Sequence, residues 1–461
     1  MFLLRHGRAE MPDAEGQVWN YSDAALTHEG RARASQLAAT LAGAGVEAIF
    51  TSPIPRARET AETIAGATAL PITADGRLRE VDIGDFEGIT LSKLRETDQR
   101  FLPWLEVYFG GRHAGPDFHV PAELAWPGGE SVADALRRAL PAFCAIAAAW
   151  QGRTVAICTH AYVLQAFLCH VVGADVAQYW SFAGLPASLT LAEVSPDGRG
   201  VLRTLNGDTE LPSFAGGRLA LRERTVPDGA PDLRSTSRIF LIRHGQSMVV
   251  EDGEPVYSHN PIGLTRQGAQ QAEELAAELA TVRLNAVYTS DLNRARETAE
   301  PLAAAQGLVP IVRPELREIA LGDFEGMTLA RIPAADERFT PWLDVAFNER
   351  FPSVEYHHPV DLAFPGGESV VDVYQRVIEP FLQIVRDHLG ETVALVSHAW
   401  VIQPLLCHIL GASLTDYFRL QLRYALPTLV EVDGNGQGVL ETFNRGTSVA
   451  LAPPAESRVA P

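Results

Sequence analysis

The amino-acid sequence predicts two tandem three-layer α/β/α domains, each a mostly parallel sheet with helices on both faces. Three observations lead there. The chain repeats itself once, with Arg5-His6-Gly7 returning as Arg243-His244-Gly245, 238 positions later. A period that long is a whole domain copied once, not a solenoid unit. Within each copy, short β-rich apolar runs alternate with alanine-rich stretches, the pattern of strands separated by helices. The residues able to do chemistry fall just past predicted strands, where ligands bind in open α/β sheets.

Taken in order, residues 2–5 read as a strand and residues 29–42 as a helix. Residues 48–51 form the next strand and 56–65 the next helix. Residues 132–150 are a long helix, 154–159 a strand and 161–172 a helix. Residues 189–194 and 200–205 close the domain as a pair of strands. The same register repeats Thr51-Ser52 at Thr289-Ser290 and Arg56-Ala57-Arg58-Glu59-Thr60 at Arg294-Ala295-Arg296-Glu297-Thr298. It also repeats Pro127-Gly128-Gly129-Glu130-Ser131 at Pro365-Gly366-Gly367-Glu368-Ser369, and His160 at His398. We divide the chain into a first domain at 1–210, a linker at 211–237 rich in Pro, Gly, Ser and Arg, a second domain at 238–450 and a tail at 451–461.

Composition narrows the classes of function. Apolar residues are 46% and charged residues 21% of the 461, enough for a core in each half and against disorder. With 57 acidic against 38 basic residues the formal net charge is −19, which argues against nucleic acid and anionic membranes as partners. An anionic substrate must therefore be held by local arginines. Cys144, Cys158, Cys169 and Cys407 form no CxxC pair and sit in apolar stretches, so they read as buried small hydrophobes in a reducing compartment. Residues 1–4 are too short for a signal-peptide core, and no apolar run approaches a membrane span. A cytoplasmic protein is expected.

The candidate chemistry begins at Arg5-His6-Gly7. A histidine at a strand end can attack phosphorus if one ring nitrogen is unprotonated and the other is pinned by a hydrogen bond. Arg5 offers a planar fork for phosphate oxygens, and its charge favours neutral imidazole. Arg56 opens a helix, where free backbone N–H groups and the dipole favour an anion. Arg58, two residues on, points away, to solvent or to Glu62. His160 and His398, each following an apolar strand, are candidate donors to phosphate. Glu80 and Glu318 are candidate acids, able to protonate a leaving alkoxide if their pKa is raised. Asp82 becomes Ala320 in the second copy and is set aside as a catalyst. Glu87 and Glu325 are shared but read as surface residues.

This set resembles the histidine phosphatase superfamily, which includes the cofactor-dependent phosphoglycerate mutases. The resemblance rests on a strand ending in Arg-His-Gly and on Ser-x-x-x-Arg-Ala before a helix. A Glu before Gly-x-x-x-Gly and a late strand ending in His complete it, twice over. It implies a phosphoglycerate mutase-like fold and a phosphohistidine mechanism with no metal and no cofactor. His6 and His244 would be the nucleophiles, and Glu80 and Glu318 the proton donors. Arg5, Arg56 and His160 would bind phosphate in the first domain, and Arg243, Arg294 and His398 in the second. The implied partner is a small phosphorylated substrate.

The chain departs from the family in places. Pro12 and Val250 stand where the family commonly has Asn, so that contact is missing or comes from Asn20 or Asn260. Ala161 and Ala399 replace a Gly that often follows the late His. Arg8-Ala9 differs from Gln246-Ser247. Residues 90–126 and 328–364 each hold Phe-x-Pro-Trp (Phe101 to Trp104, Phe339 to Trp342) and His119 or His357. They either wall the leaving group or pack a subdomain core. The leading expectation is a phosphomonoesterase acting on small metabolites, one site per domain. A mutase, or one catalytic domain beside a domain that only senses a phosphorylated ligand, are the alternatives. The duplication is also expected to pair the two domains as an intramolecular pseudo-dimer.

Overall fold

A computed structural model describes residues 1–10, 24–90, 93, 96, 98–101, 120–207, 236–247, 255–340 and 359–446. The first half runs β1 (Phe2–Arg5), α1 (His28–Gly43), β2 (Ala48–Thr51), α2 (Pro55–Thr68), β3 (Ile72–Ala74), α3 (Val132–Ala149), β4 (Val155–Thr159), α4 (Ala161–Val172), β5 (Leu189–Val194) and β6 (Gly200–Thr204). The second half repeats it as β7 (Thr236–Arg243), α5 (Arg266–Glu278), β8 (Ala286–Thr289), α6 (Asn293–Ala305), β9 (Ile311–Val312), α7 (Val370–Asp387), β10 (Thr392–Ser397), α8 (Ala399–Leu410), β11 (Pro427–Asp433) and β12 (Gly438–Thr442). β7 starts at Thr236, two residues inside the stretch expected to be linker. Ser237 is fully buried there, its hydroxyl donating to Val385 O at 2.7 Å.

The sheets run β3-β2-β4-β1-β5-β6 and β9-β8-β10-β7-β11-β12. In each, the first four strands are parallel and the last two antiparallel. The two-residue alternation of a strand decides which helices cover which face. Phe2 and Leu4 pack with Leu37 and Leu41 of α1 and Ile64 of α2. Leu3, pointing the other way, packs with Phe143 of α3 and Phe167 of α4. Phe240 and Ile242 repeat the first arrangement on α5 and α6, and Leu241 the second on α7 and α8.

The inner faces of the two halves share one continuous apolar cluster. Backbone bridges cross between them at Phe182 with Leu440, Leu202 with Leu420, and Ala174 with Ala412. Leu205 and Phe443 exchange backbone hydrogen bonds at 3.2 and 3.0 Å. Arg419, buried and paired with Asp416 at 2.6 Å, donates from Nη1 to Gly200 O of the first half.

Parallel strands end on the same side of a sheet, so the residues after β1, β2 and β4 converge. Those residues are His6, Ser52 and His160. Strands β3 and β9, not expected from the sequence, are short edge strands with exposed side chains and no apolar alternation. Cys158, Cys169 and Cys407 are buried, with burial pushing the Cys158 thiol up to about 12, whereas Cys144 is only half-buried on α3, contrary to expectation. Among the described residues no helix is long and apolar enough to cross a membrane.

Candidate active site

His6 leaves β1 with its ring buried (8% exposed). Its Nδ1–H donates to Gly7 O at 2.8 Å, and Arg56 Nε–H reaches its Nε2 at 3.0 Å. A nitrogen that accepts from a guanidinium carries no proton, so the network assigns the proton to Nδ1 and a lone pair to Nε2. Burial, then the charges of Arg56 and Arg5, hold the His6 pKa well below the ordinary imidazole value. The second half repeats this, with His244 Nδ1 donating to Gly245 O at 2.7 Å and Arg294 Nε donating to His244 Nε2 at 3.2 Å. His244 is held low by the same causes, from Arg294 and Arg243.

Gly7 is required by packing. A Cβ there would lie 2.9 Å from Gly30 O, closer than real Cβ atoms come to a backbone oxygen. Its N–H donates to Thr60 Oγ1 at 3.0 Å, and that hydroxyl donates to Arg56 O at 2.7 Å. Thr60 therefore ties the histidine's turn to the helix that carries the arginine, as Thr298 does in the second half. Arg56 is only 3% exposed at the start of α2, behind Pro55 at the first helical position. Arg58 points outward and pairs with Glu62 at 2.7 Å, as its spacing predicts.

His160 is fully buried at the N-cap of α4, its ring 5.1 Å from that of His6. Its Nε2 lies 2.8 Å from Ser52 Oγ, which accepts from Ile54 N–H. With the serine's own hydrogen pointed at Nε2, the histidine's proton lies on Nδ1. Nδ1 is buried and has no hydrogen-bond partner among the described residues, as is Nδ1 of His398. A buried donor without a partner beside two arginines and a helix N-terminus is suited to an anionic oxygen. His398 bonds Ser290 Oγ at 2.8 Å in the same way. Both residues have pKa values well below imidazole's, through burial first and then the nearby arginines.

Glu80 is 5% exposed, with Oε1 accepting from Val81 N–H at 3.0 Å. Burial raises its pKa, against the pull of that bond and of Arg56 and Arg5. Glu318 is half-buried and likewise raised by burial, with Arg294 the leading opposing charge. Each carboxyl is thereby biased toward the protonated form an acid needs. The Pro-Gly-Gly-Glu-Ser turn holds this segment in place. Glu130 pairs with Arg138 at 2.7 Å, and Arg138 donates to the carbonyls of Arg77, Arg79 and Glu80. Glu368 and Arg376 repeat the clasp around Glu315, Arg317 and Glu318.

Arg5 Nη1 donates to Gly184 O at 2.5 Å, and Arg243 Nη1 donates to Leu422 O at 3.1 Å. The two sites diverge here. The Arg243 guanidinium stacks over Tyr424, 3.9 Å from its ring centre, and that ring is 5.8 Å from His244. Pro186 holds the equivalent position in the first half.

Several expectations need correction. Glu325 is not a surface residue, because its carboxylate accepts the backbone N–H groups of Ser258, His259 and Asn260. It folds that loop onto the site, where Arg294 Nη2 donates to Ser258 O at 2.7 Å and His259 Nε2 contacts Glu318 O at 2.7 Å. Asn260 is held there through its main chain. Asn20 lies outside the described residues, as do Trp104, Trp342, His119 and His357. Phe101 and Phe339 are core and not wall: Phe101 stacks on Trp126 at 4.0 Å and Phe339 on Phe364 at 4.6 Å. The sequence places Ser52 just past a strand without assigning it a contact, and assigns none to Thr60 or Arg138. Their recurrence as Ser290, Thr298 and Arg376 was the available signal.

The four depressed histidines carry a stability consequence. The unfolded chain protonates them near 6.5, the folded chain only well below. Stability is therefore complete above that value and falls as pH drops below it, by up to about 1.4 kcal/mol per pH unit for each histidine. Glu80 and Glu318, raised from 4.5, act in the opposite sense and offset part of the loss. Calorimetric Tm should fall steadily between about pH 7 and about pH 5. A flat Tm across that window would contradict the burial of four neutral imidazoles.

Known proteins resemble stretches of less than half of the chain. Phosphoserine phosphatase 1 of Hydrogenobacter thermophilus is 32% identical, over 39% of this chain and 80% of that protein. Phosphoglycerate mutase-like protein 4 of Arabidopsis thaliana is 30% identical, over 37% of this chain and 69% of its own length. Among solved structures, a mycobacterial glucosyl-3-phosphoglycerate phosphatase aligns at 27% identity over 45% of this chain and 99% of its own, with a TM-score of 0.38. The family model of the histidine phosphatase superfamily, branch 1, matches residues 1–207 and again residues 239–445. The chain belongs to the histidine phosphatase superfamily, of which it carries two tandem copies.

Proposed function

We propose that the protein is a phosphomonoesterase acting on small phosphorylated metabolites through a phosphohistidine intermediate, with one working site in each half. The observation that carries the reading is the pairing of an unprotonated His6 Nε2 with Arg56, repeated at His244 and Arg294. The phosphatase name borne by a relative 32% identical to this chain supports the hydrolytic direction.

In this mechanism Arg5, Arg56 and His160 Nδ1–H bind the phosphoryl oxygens and stabilise their charge in the transition state. His6 Nε2 attacks phosphorus as the P–O ester bond breaks, and Glu80 gives its proton to the leaving oxygen. Glu80, now a carboxylate, takes a proton from water, whose oxygen attacks phosphorus and breaks the P–N bond. Inorganic phosphate leaves, and both His6 and Glu80 return to their starting states. Arg243, Arg294, His398, His244 and Glu318 take the same parts in the second half. Both copies keep every one of these groups, which favours two catalytic sites over a catalytic and a sensing one. Tyr424 against Pro186 supports different substrate preferences at the two sites.

The test is p-nitrophenyl phosphate hydrolysis with EDTA present by wild type, His6→Ala, His244→Ala and the double variant. Activity that divides between the single variants and vanishes in the double is expected. A double variant as active as wild type would overturn the reading.

A further inference from the structure

The arginines that meet the phosphate are anchored through residues that lie on the boundary between the two halves. Arg5 is held by Gly184 O, and the neighbouring Ala183 is fixed from both sides. Its N–H donates to Leu440 O of the second half at 3.0 Å. Its carbonyl accepts from Asn206 Nδ2 at 2.7 Å, and the same amide nitrogen donates to Glu441 O of the second half at 2.8 Å. The second site mirrors this. Arg243 is held by Leu422 O, and Asn444 Nδ2 donates to the adjacent Gln421 O at 2.7 Å and to Arg203 O of the first half at 2.9 Å. Asn444 Oδ1 also accepts Arg423 N–H, fixing the other side of Leu422.

Both asparagines are buried, and both sit in the left-handed region, at φ +50 and +47, which Asn tolerates and most residues do not. A buried amide nitrogen has two N–H donors, and leaving either unmade is costly. Here one donor serves the arginine's loop and the other serves the opposite half. Both are satisfied only while the halves are docked.

We infer that Asn206 and Asn444 are positioning residues, through which the docking of each half holds the phosphate-binding arginine of the other at its working position. The inference rests on the reading of Arg5 and Arg243 as phosphate ligands. It makes the pairing of the halves part of both sites, and gives a reason for two domains to share one chain.

The test uses full-length chains. His244→Ala reports on the first site and His6→Ala on the second. Glycine is the informative replacement because it accepts positive φ without strain. In the His244→Ala chain, Asn206→Gly should raise both the KM for p-nitrophenyl phosphate and the inhibition constant of inorganic phosphate roughly tenfold, with kcat changed by less than about threefold. Asn444→Gly in that chain should leave both constants within about twofold, and in the His6→Ala chain the two substitutions should exchange effects. Asn206→Asp keeps the acceptor and tolerates positive φ but lacks the donors, so it should behave as the glycine does and serves if the glycine chain folds poorly. Substitutions that move both sites alike, or neither, would overturn the inference. If the parent chains turn nothing over, the phosphatase reading fails instead. Calorimetric titration of inorganic phosphate then decides the inference: each asparagine variant should weaken one binding event and spare the other.

Discussion

Glu80→Gln, made in a chain whose second nucleophile is silenced by His244→Ala, should lower kcat for an alkyl phosphate by roughly 10²–10⁴-fold. The buried carboxyl keeps its proton above the usual carboxylate range, and glutamine has none to give. With p-nitrophenyl phosphate, whose leaving group departs as a stable anion, the same substitution should slow the first-turnover release of nitrophenolate far less, while the loss in hydrolysis of the phosphoenzyme is common to both substrates. The pH profile separates the nucleophile and the acid by sign. His6 must be neutral, so activity falls as pH drops through its depressed pKa. Glu80 must be protonated, so activity on alkyl phosphates also falls as pH rises through its raised one. The glutamine chain should lose the alkaline limb and keep the acidic one. Equal losses in the first-turnover rate on both substrates would show that Glu80 supports the fold and does not protonate the leaving group.

Arg56→Lys should be nearly as damaging, lowering kcat/KM at the first site by about 10²–10³-fold, and Arg294→Lys should do the same at the second. Lysine keeps the charge but loses the planar fork. Arg56 uses that fork to meet His6 Nε2 from Nε while its backbone is fixed by Thr60. An ammonium on a freely rotating stem cannot reproduce that alignment. Kinetics on the two lysine chains, each with the other half's nucleophile replaced, would measure the loss. A change below about tenfold would mean that charge alone suffices at that position.

Much of this site is legible in the amino-acid sequence, and the reasons are physical. Strands β1, β2 and β4 are short buried apolar runs bounded by turns, so their ends can be placed closely. His6, Ser52 and His160 follow from those ends. What escapes the sequence depends on which distant backbone a side chain meets. Glu325 looks like a surface residue until the loop at Ser258–Asn260 is seen folded over its carboxylate. Phe101 and Phe339 carry no mark that tells a pocket wall from a packed ring. Tyr424 lies in an irregular loop whose counterpart is Pro186, so the repeat hides it by failing to match. Asn206 and Asn444 do match across the repeat, but their partners are main-chain carbonyls, one in each half, and sequence spacing carries no information on those. β3 and β9 expose their side chains and lack the alternation that betrays a strand.

The central claim is that two histidines of one chain each carry phosphate during turnover, and trapping the intermediate tests it most directly. The enzyme would be mixed with a radiolabelled phosphomonoester, quenched in alkali to preserve phosphohistidine, digested and mapped by mass spectrometry. The expected result is label on the peptides containing His6 and His244, each lost only in its own alanine variant. Label on neither histidine during active turnover, or label surviving in the double variant, would contradict it.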